Sequence, residues 1–297
     1  MFSSFMVNAW TVGTIVAITA GFIGFFVVIR GAAFAAHTLP MGAFPGAAAA
    51  ALLGINPYIG VLVFAALGVV GISQLTKRGG REVATALCLV MLLGLGALFL
   101  SMTREYSQEV FSLLFGEVLG VSKSDILLVA VASAVAVATT LILFRPLLLS
   151  SMFPQMAEAA GVSRNRMEVW FLGALALAAA VALPVVGALL VFSLMVGPAA
   201  VARSLADRPF QAALLSVAVA LVVVWAAIAL SYVTDWPIGF FVGGISALAY
   251  GLSRAWTSLP MAFKRNGWRK IARTSPSPIP GTAQPMARST PRTLPPL

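Results

Sequence analysis

Residues with reactive side chains are few in this sequence, and their types limit the chemistry that it offers. His37 is the only histidine, so histidine-pair zinc motifs and most histidine-based catalysis are excluded. Cys88 is the only cysteine and lies in an apolar run, where we interpret it as an inert, small hydrophobic side chain. No GxxxxGKS or GxxxxGKT segment is present to cradle phosphates, so the chain does not hydrolyse ATP by that route. Together these observations disfavour an enzyme.

Long apolar runs predict the helices that position these residues. Of the 297 residues 60% are apolar and only 9% are charged, which places the chain among membrane proteins. The longest run is broken at Pro184 and Gly187, and counting it as two spans gives nine crossings. The short run 41–55 leaves eight if it is re-entrant. We therefore predict an all-α, polytopic membrane bundle of eight or nine transmembrane helices. The runs lie at 8–29, 41–55, 57–75, 83–102, 126–144, 169–202, 211–233 and 237–253.

Charged residues lie between these runs and predict their direction. One alternating assignment puts ten basic loop residues on one side and only Arg104 and Lys123 on the other, so the ten-base side is cytoplasmic. With nine spans, the amino terminus lies outside and the first run is a retained helix. No span carries an Asp, Glu, Lys or Arg near its middle, which disfavours an ion-driven carrier. The ten bases are Arg30, Lys77, Arg78, Arg81, Arg145, Arg164, Arg166, Arg203, Arg208 and Arg254.

The composition changes abruptly at the carboxyl-terminal end. Residues 1–256 form the predicted transmembrane domain, whereas residues 257–297 are rich in Pro, Ser and Thr. Residues 259–297 contain seven bases and no acid. Such a segment buries too little apolar surface to fold, so we predict a disordered, basic cytoplasmic tail facing anionic lipid.

The longest inner loop runs from Arg145 to Glu168 and contains a predicted short helix. Pro154 is suited to the first turn of this helix and Gly161 to its end. Small residues at Ala157, Ala159 and Ala160 would let the helix enter a groove on a partner. A solvated amphipathic linker is the alternative interpretation.

Four stretches of the chain resemble the permease subunits of bacterial metal-type ABC importers, the ABC-3 family. The inner loop is similar to the family's segment F-D-P-E-x-A-E-x-x-G-V, although Met152, Phe153 and Gln155 depart from it. Residues 114–119 resemble its L-F-G-D/E-x-L segment outside the fourth span. Residues 187–203 resemble its G-A-L-L to P-A-A-x-A-R stretch, and residues 232–239 its Y-x-x-D-x-P-x-G turn. In order and spacing, the resemblance covers residues 10–255.

The resemblance implies a homodimer around a central path for zinc, manganese or iron. It implies two ATPase subunits beneath the path, which bind the ATP, and a substrate-binding protein outside. No cofactor is expected on this chain, and a bacterial inner membrane with the carboxyl terminus in the cytoplasm is expected. Glu117 and Asp125 are candidates for attracting cations at the outer mouth. The residues expected to couple the chain to the ATPase are Pro154, Gln155, Met156, Ala157, Glu158 and Gly161.

The metal-path candidates are His37 and Met41. The family carries a D/H-x-x-x-H pair in this place; His37 fits its first member, and Met41 stands where histidine is usual. An imidazole and a thioether suit softer ions such as copper or zinc better than manganese. We expect Pro40 to begin a helix and to leave His37 in the preceding turn. The alternative is that His37 hydrogen-bonds a backbone carbonyl and that Met41 fills space between helices.

Three functions remain open from the sequence. The first is the membrane subunit of an ATP-driven importer of a divalent metal. The second keeps this architecture but imports a chelate such as an iron–siderophore, through the related vitamin-type permease family. The third is a membrane assembly or interaction protein without a path.

Overall fold

The structure is a computed structural model that describes residues 4–77, 80–102 and 123–274. The chain divides into two compact units, residues 1–257 and residues 258–297. All regular structure within the described ranges is helical, as the sequence predicts. The helices are α1 (Ser4–Ile29), α2 (Ala33–Met41), α3 (Ala43–Leu53), α4 (Pro57–Thr76), α5 (Arg81–Met102), α6 (Lys123–Ile142), α7 (Phe144–Met152), α8 (Pro154–Ala159), α9 (Arg164–Val186), α10 (Ala188–Leu205), α11 (Pro209–Thr234) and α12 (Ile238–Thr274).

Length and composition allow five of these helices to cross a membrane on their own. They are α1, α4, α5, α11 and the part of α12 up to Trp256. Helices α6 and α7 form a sixth candidate, although the chain bends by 60° between them. Val191–Leu205 in α10 is apolar but shorter. The searched residues therefore contain five or six clear spans, and the count of eight or nine stays a prediction.

Helix α1 lies at the centre of the bundle because small residues let two neighbours approach its backbone. A Cβ atom on Gly24 would lie 2.0 Å from the carbonyl oxygen of Met195 in α10. On the α11 side, the buried Ser216 hydroxyl donates a 2.6 Å hydrogen bond to the carbonyl of Gly21. Close backbone contact at small residues is a common way for membrane helices to associate. These contacts hold the carboxyl-terminal end of α1, where Arg30 follows, in a fixed place.

Helices α3 and α4 form a tight hairpin that depends on three glycines. Gly54 ends α3 in the left-handed region, with φ of 64°, and Asn56 caps α4 by accepting a 2.9 Å hydrogen bond from the Tyr58 amide. A Cβ atom on Gly60 would lie 2.1 Å from the carbonyl oxygen of Gly46, so the two backbones touch. The small residues of 42–54 thus allow α3 to pack closely on α4.

Two sequence expectations about helix boundaries have different outcomes. The break in the longest apolar run is confirmed, because α9 ends at Val186 and Gly187 adopts φ of 80° before α10. The expectation that Pro40 begins a helix is wrong, since α2 begins at Ala33 and contains Pro40 in its last turn. Proline has the backbone φ of a helix and costs mainly one hydrogen bond, which is least disruptive near a helix end. His37 therefore lies within α2 rather than before it.

The basic carboxyl-terminal segment begins within a helix. The backbone of α12 is helical as far as Thr274, so its helix extends into the segment for which the sequence predicts a disordered tail. Residues 275–297 lie outside the described ranges, and the disorder of the tail stays a prediction.

Candidate functional site

The segment between Arg145 and Glu168 contains a short helix with clear start and stop signals. Pro154 occupies the first turn of α8, where its missing N–H has no intrahelical partner to lose. At the other end Gly161 adopts φ of 77°. The Gly161 amide donates to the Glu158 carbonyl at 3.0 Å, and the Val162 amide donates to the Ala157 carbonyl at 2.8 Å. These two bonds form a Schellman motif, so the predicted limits of this helix are confirmed.

Helix α8 presents most of its surface to solvent and one residue to its own bundle. Ala157 is buried, with an exposed fraction of 2%, so it packs against its own bundle. The expectation from the sequence, that Ala157 helps the helix to enter a groove on a partner, is therefore wrong. The side chains of Phe153 and Met156 are 54% and 63% exposed. Gln155 and Glu158 are exposed as well. Helix α8 has only six residues, too few to cross a membrane, so these exposed apolar side chains do not belong to a spanning segment.

Glu168 and two arginines from distant parts of the chain form a largely buried ion-pair cluster beside α8. Arg30 Nη2 and Arg81 Nη2 both donate to Glu168 Oε2, at 3.0 Å and 2.9 Å. Arg30 Nη1 also donates to the hydroxyls of Ser150 and Ser151, at 3.1 Å and 3.0 Å. We call these five residues the Arg30 cluster. It joins the segment after α1 to the start of α5, the last turn of α7 and the first turns of α9.

The Arg30 cluster is largely shielded from solvent. The side chains of Arg30 and Glu168 are only 4% and 10% exposed, and the Arg30 guanidinium lies 5.1 Å from the centre of the Phe171 ring. Burial lowers the pKa of the Arg30 guanidinium, and the hydrogen bond that Arg30 donates to Glu168 offsets part of that effect. A charged side chain that is shielded from water is stabilised mainly by a partner of opposite charge. Arg30 and Glu168 therefore stabilise each other.

The Arg30 cluster brings together charged segments that the charge pattern assigns to the same side of the membrane. The charge pattern assigns Arg30, Arg81 and the 145–168 segment to one side of the membrane. In the structure Arg81 Nη1 donates to the Arg30 carbonyl at 3.0 Å, and both arginines contact Glu168 at the start of α9. We call the end of the bundle that carries Arg30, Arg81 and Glu168 the arginine-rich end. Sequence reasoning did not single out Glu168, although an acid on the base-rich side at the edge of an apolar run is a usable signal.

His37 and Met41 lie one turn apart on α2 but in different surroundings. His37 packs edge-to-face on Phe192 of α10, with the ring centres 5.3 Å apart. The two rings border an open cavity of about 330 Å³, which Ala33 and Phe34 complete. In the described part of the chain, the buried Nδ1 of His37 has no hydrogen-bond partner. It therefore does not make the backbone hydrogen bond of the alternative interpretation through that atom.

Met41 belongs to a small apolar cluster instead of the His37 cavity. Its side chain is 7% exposed and packs with Val61 of α4 and Leu183 of α9. No group of three or more His, Cys, Asp or Glu side chains suited to one metal ion occurs among the searched residues. Glu117 lies outside the described residues, and only the backbone of Asp125, in the first turn of α6, is described.

Comparison with known proteins places this arrangement in a family. The model of the ABC 3 transport family matches residues 2–255. The manganese import system permease protein ScaB of Streptococcus parasanguinis is 29% identical over 214 residues, which cover 71% of this chain and 76% of ScaB. The manganese transport system membrane protein MntC of Listeria monocytogenes is 28% identical, with 69% and 74% covered. The high-affinity zinc uptake system membrane protein ZnuB of Haemophilus influenzae is 27% identical, with 66% and 76% covered.

Two solved structures share the fold. PsaBC from Streptococcus pneumoniae, solved in complex with Fab, aligns with a TM-score of 0.76 at 24% identity, covering 85% of this chain and 91% of that chain. An inward-facing conformation of a putative metal-chelate type ABC transporter aligns with a TM-score of 0.63 at 17% identity, covering 82% and 84%. The predicted metal-type permease fold is thus confirmed by the first of these. A family match over nearly all of the apolar part, together with this fold, shows that the chain is a multi-pass membrane protein of the ABC 3 transport family.

Proposed function

We propose that the chain is the membrane-spanning permease subunit of an ATP-binding cassette importer for a divalent metal ion, with manganese and zinc the favoured substrates. The observation that carries the proposal is α8, a capped helix with an exposed apolar surface at the arginine-rich end of a transport-family bundle. Relatives named for manganese and zinc import support the substrate class. The alternative substrate, an iron–siderophore or a similar chelate, has weaker support, since the metal-chelate type structure is the less similar of the two.

The partners follow from what the chain lacks and what it exposes. Since the chain has no phosphate-binding loop, ATP is hydrolysed on a separate cytoplasmic subunit, which docks on α8. Docking uses the exposed side chains of Gln155, Met156 and Glu158, with Phe153 beside them. Pro154 and Gly161 set the limits of the helix, and Ala157 fixes it to the bundle. The permease lies in a bacterial inner membrane. A substrate-binding protein docks on its outer face, and the carboxyl-terminal tail lies in the cytoplasm.

The path for the ion lies along α2, between two copies of the permease. His37 supports this proposal, because its ring borders an open cavity and its buried Nδ1 has no hydrogen-bond partner among the described residues. A neutral imidazole nitrogen is a good ligand for zinc and an acceptable one for manganese. We assign Met41 to packing, given its apolar neighbours. Glu117 and Asp125 remain our candidates for attracting cations at the outer mouth.

Co-purification and vesicle uptake test this function together. The full chain is co-expressed with a candidate ATPase subunit, purified and reconstituted in vesicles, and uptake of Mn²⁺ and Zn²⁺ is measured with and without ATP. We expect ATP-dependent accumulation of one of these ions. We also expect Met156→Asp to reduce ATPase co-purification at least tenfold, because it places a charge in the apolar docking surface. Asp207→Asn, in the connection between α10 and α11, is the matched control and should leave co-purification unchanged. Uphill uptake by the permease without a nucleotide-hydrolysing subunit would contradict the proposal.

A further inference from the structure

We propose that the Arg30 cluster is the joint that holds α8 in a fixed position relative to the transmembrane helices, with Glu168 as its positioning residue. The inference rests on the proposed function in one respect, namely that α8 receives the movement of the ATPase. It adds the residues that pass this movement on to the bundle. These residues lie outside the α8 surface and outside the metal path.

A single guanidinium holds both ends of the α8 segment. The chain enters α8 through Ser150 and Ser151 in the last turn of α7, and both hydroxyls accept hydrogen bonds from Arg30 Nη1. The chain leaves α8 into α9, where Glu168 accepts from Arg30 Nη2. Both serines in turn donate to the Leu147 carbonyl, which keeps their oxygens oriented toward the arginine. Any displacement of α8 therefore acts on Arg30 from two sides.

Arg81 extends the same joint to α5, another helix of the bundle. Its Nη2 donates to Glu168 at 2.9 Å and its Nη1 donates to the Arg30 carbonyl at 3.0 Å. The planar fork of one guanidinium thus links the start of α5, the end of α1 and the start of α9. Since Arg30 follows the central helix α1 and precedes α2, a movement of the joint reaches the helix that carries His37.

Hydrogen bonds, rather than close packing, set the position of the amino-terminal end of α8. Pro154 borders a cavity of about 110 Å³ that is lined otherwise by Arg30, Arg81, Arg164 and the two serines. A void beside the first residue of α8 leaves that end without apolar contacts on this side. The charged hydrogen bonds of Nη1 and Nη2 are directional and specify one arrangement of the groups that they join, whereas Nε of Arg30 has no hydrogen-bond partner among the described residues. Such an element moves as a rigid body or changes between discrete arrangements.

The position of α8 is tested in the permease alone. Spin labels are placed on the exposed positions Gln155 in α8 and Val83 in α5, in a Cys88→Ala background of the full chain. We expect one narrow distance distribution, and we expect Glu168→Gln to broaden it at least twofold. The matched control is Arg166→Gln, which changes one exposed charge two residues away and should leave the width unchanged. An unchanged width in Glu168→Gln would overturn the inference.

Coupling is tested in the complex with the ATPase, as the number of metal ions imported per ATP hydrolysed by folded protein. We expect Glu168→Gln to lower this ratio at least fivefold and Arg166→Gln to leave it within a factor of two. A purely structural role for Glu168 would lower the yield of folded protein without changing the ratio, and that result would overturn the inference. If Glu168→Gln does not fold, Arg81→Lys replaces it, because one ammonium group cannot reproduce both hydrogen bonds of the fork. If wild-type protein imports no metal, the proposed function fails, whereas the distance measurement still decides the joint.

Discussion

Glu168 Oε2 lies 3.0 Å from Nη2 of Arg30, although 138 residues separate the two along the chain. This ion pair joins the start of α9 to the residue that follows α1. Helix α8, with its exposed apolar side chains, lies immediately before α9 along the chain. This buried ion pair leads to the first prediction.

Glu168→Ala should destabilise the folded permease by about 3–5 kcal/mol, because it leaves the buried Arg30 and the partly exposed Arg81 without their anion. Thermal unfolding of the purified protein in detergent measures the effect as a lower midpoint temperature. Arg166→Ala, on the exposed face of the same helix, should change stability by no more than about 0.5 kcal/mol. Equal stability of the two variants would show that the buried pair contributes nothing.

Gly161→Ala should cost about 1–2 kcal/mol, since its φ of 77° is unfavourable for a residue with a Cβ atom. No atom lies within 4 Å of the added Cβ, so the cost comes from the backbone alone. Gly80→Ala is the control, because Gly80 has the same open space without a positive φ. Thermal unfolding gives the midpoint temperatures of the Gly161→Ala and Gly80→Ala variants. Metal uptake by the reconstituted complex shows whether α8 still couples the permease to the ATPase. Equal midpoints would contradict the assigned end of α8.

Gly46→Ala should destabilise the bundle by about 1–3 kcal/mol through overpacking, because its Cβ would lie 2.6 Å from the carbonyl oxygen of Gly60. The atoms that the added Cβ would meet belong to the backbone of Gly60 and Val61, so the α3–α4 hairpin must open to relieve the contact. Gly94→Ala in α5 meets nothing within 4 Å and should be neutral or stabilising by up to ~1 kcal/mol. The measurement is the fraction of monodisperse protein after heating in detergent. A tolerated Gly46→Ala would refute the close approach of these helices.

His37→Ala should reduce metal uptake at least tenfold, whereas Met41→Leu should leave uptake within a factor of two. The first removes the imidazole that borders the open cavity beside Phe192. The second conserves volume in an apolar cluster and should cost less than about 1.5 kcal/mol of stability. Initial rates of Mn²⁺ and Zn²⁺ uptake in the reconstituted complex separate the two. Loss of uptake in Met41→Leu, with the protein folded, would assign the thioether to the path.

Signals that act over a few residues were enough to predict much of this protein. Hydropathy indicated a helical membrane bundle, Pro154 and Gly161 predicted the limits of α8, and Gly187 predicted the break before α10. These features depend on the covalent geometry of single residues and on nearby hydrogen bonds, so they can be read without knowing the packing. Pro40 is the exception. Proline favours the first turn of a helix, but α2 already begins at Ala33, so Pro40 lies in its last turn.

Only the tertiary structure decided which residues meet. The sequence placed Arg30, Arg81 and the segment before α9 on one side, but it did not show that Glu168 bridges both arginines. It also did not show that Ala157 packs inward, or that His37 borders a cavity while Met41 lies among apolar neighbours. Two residues a turn apart on α2 face different surroundings because separate helices pack on each. Long-range contacts of this kind depend on the rotation and approach of whole helices, and those are set by backbone contacts such as Gly24 with Met195 and Gly46 with Gly60.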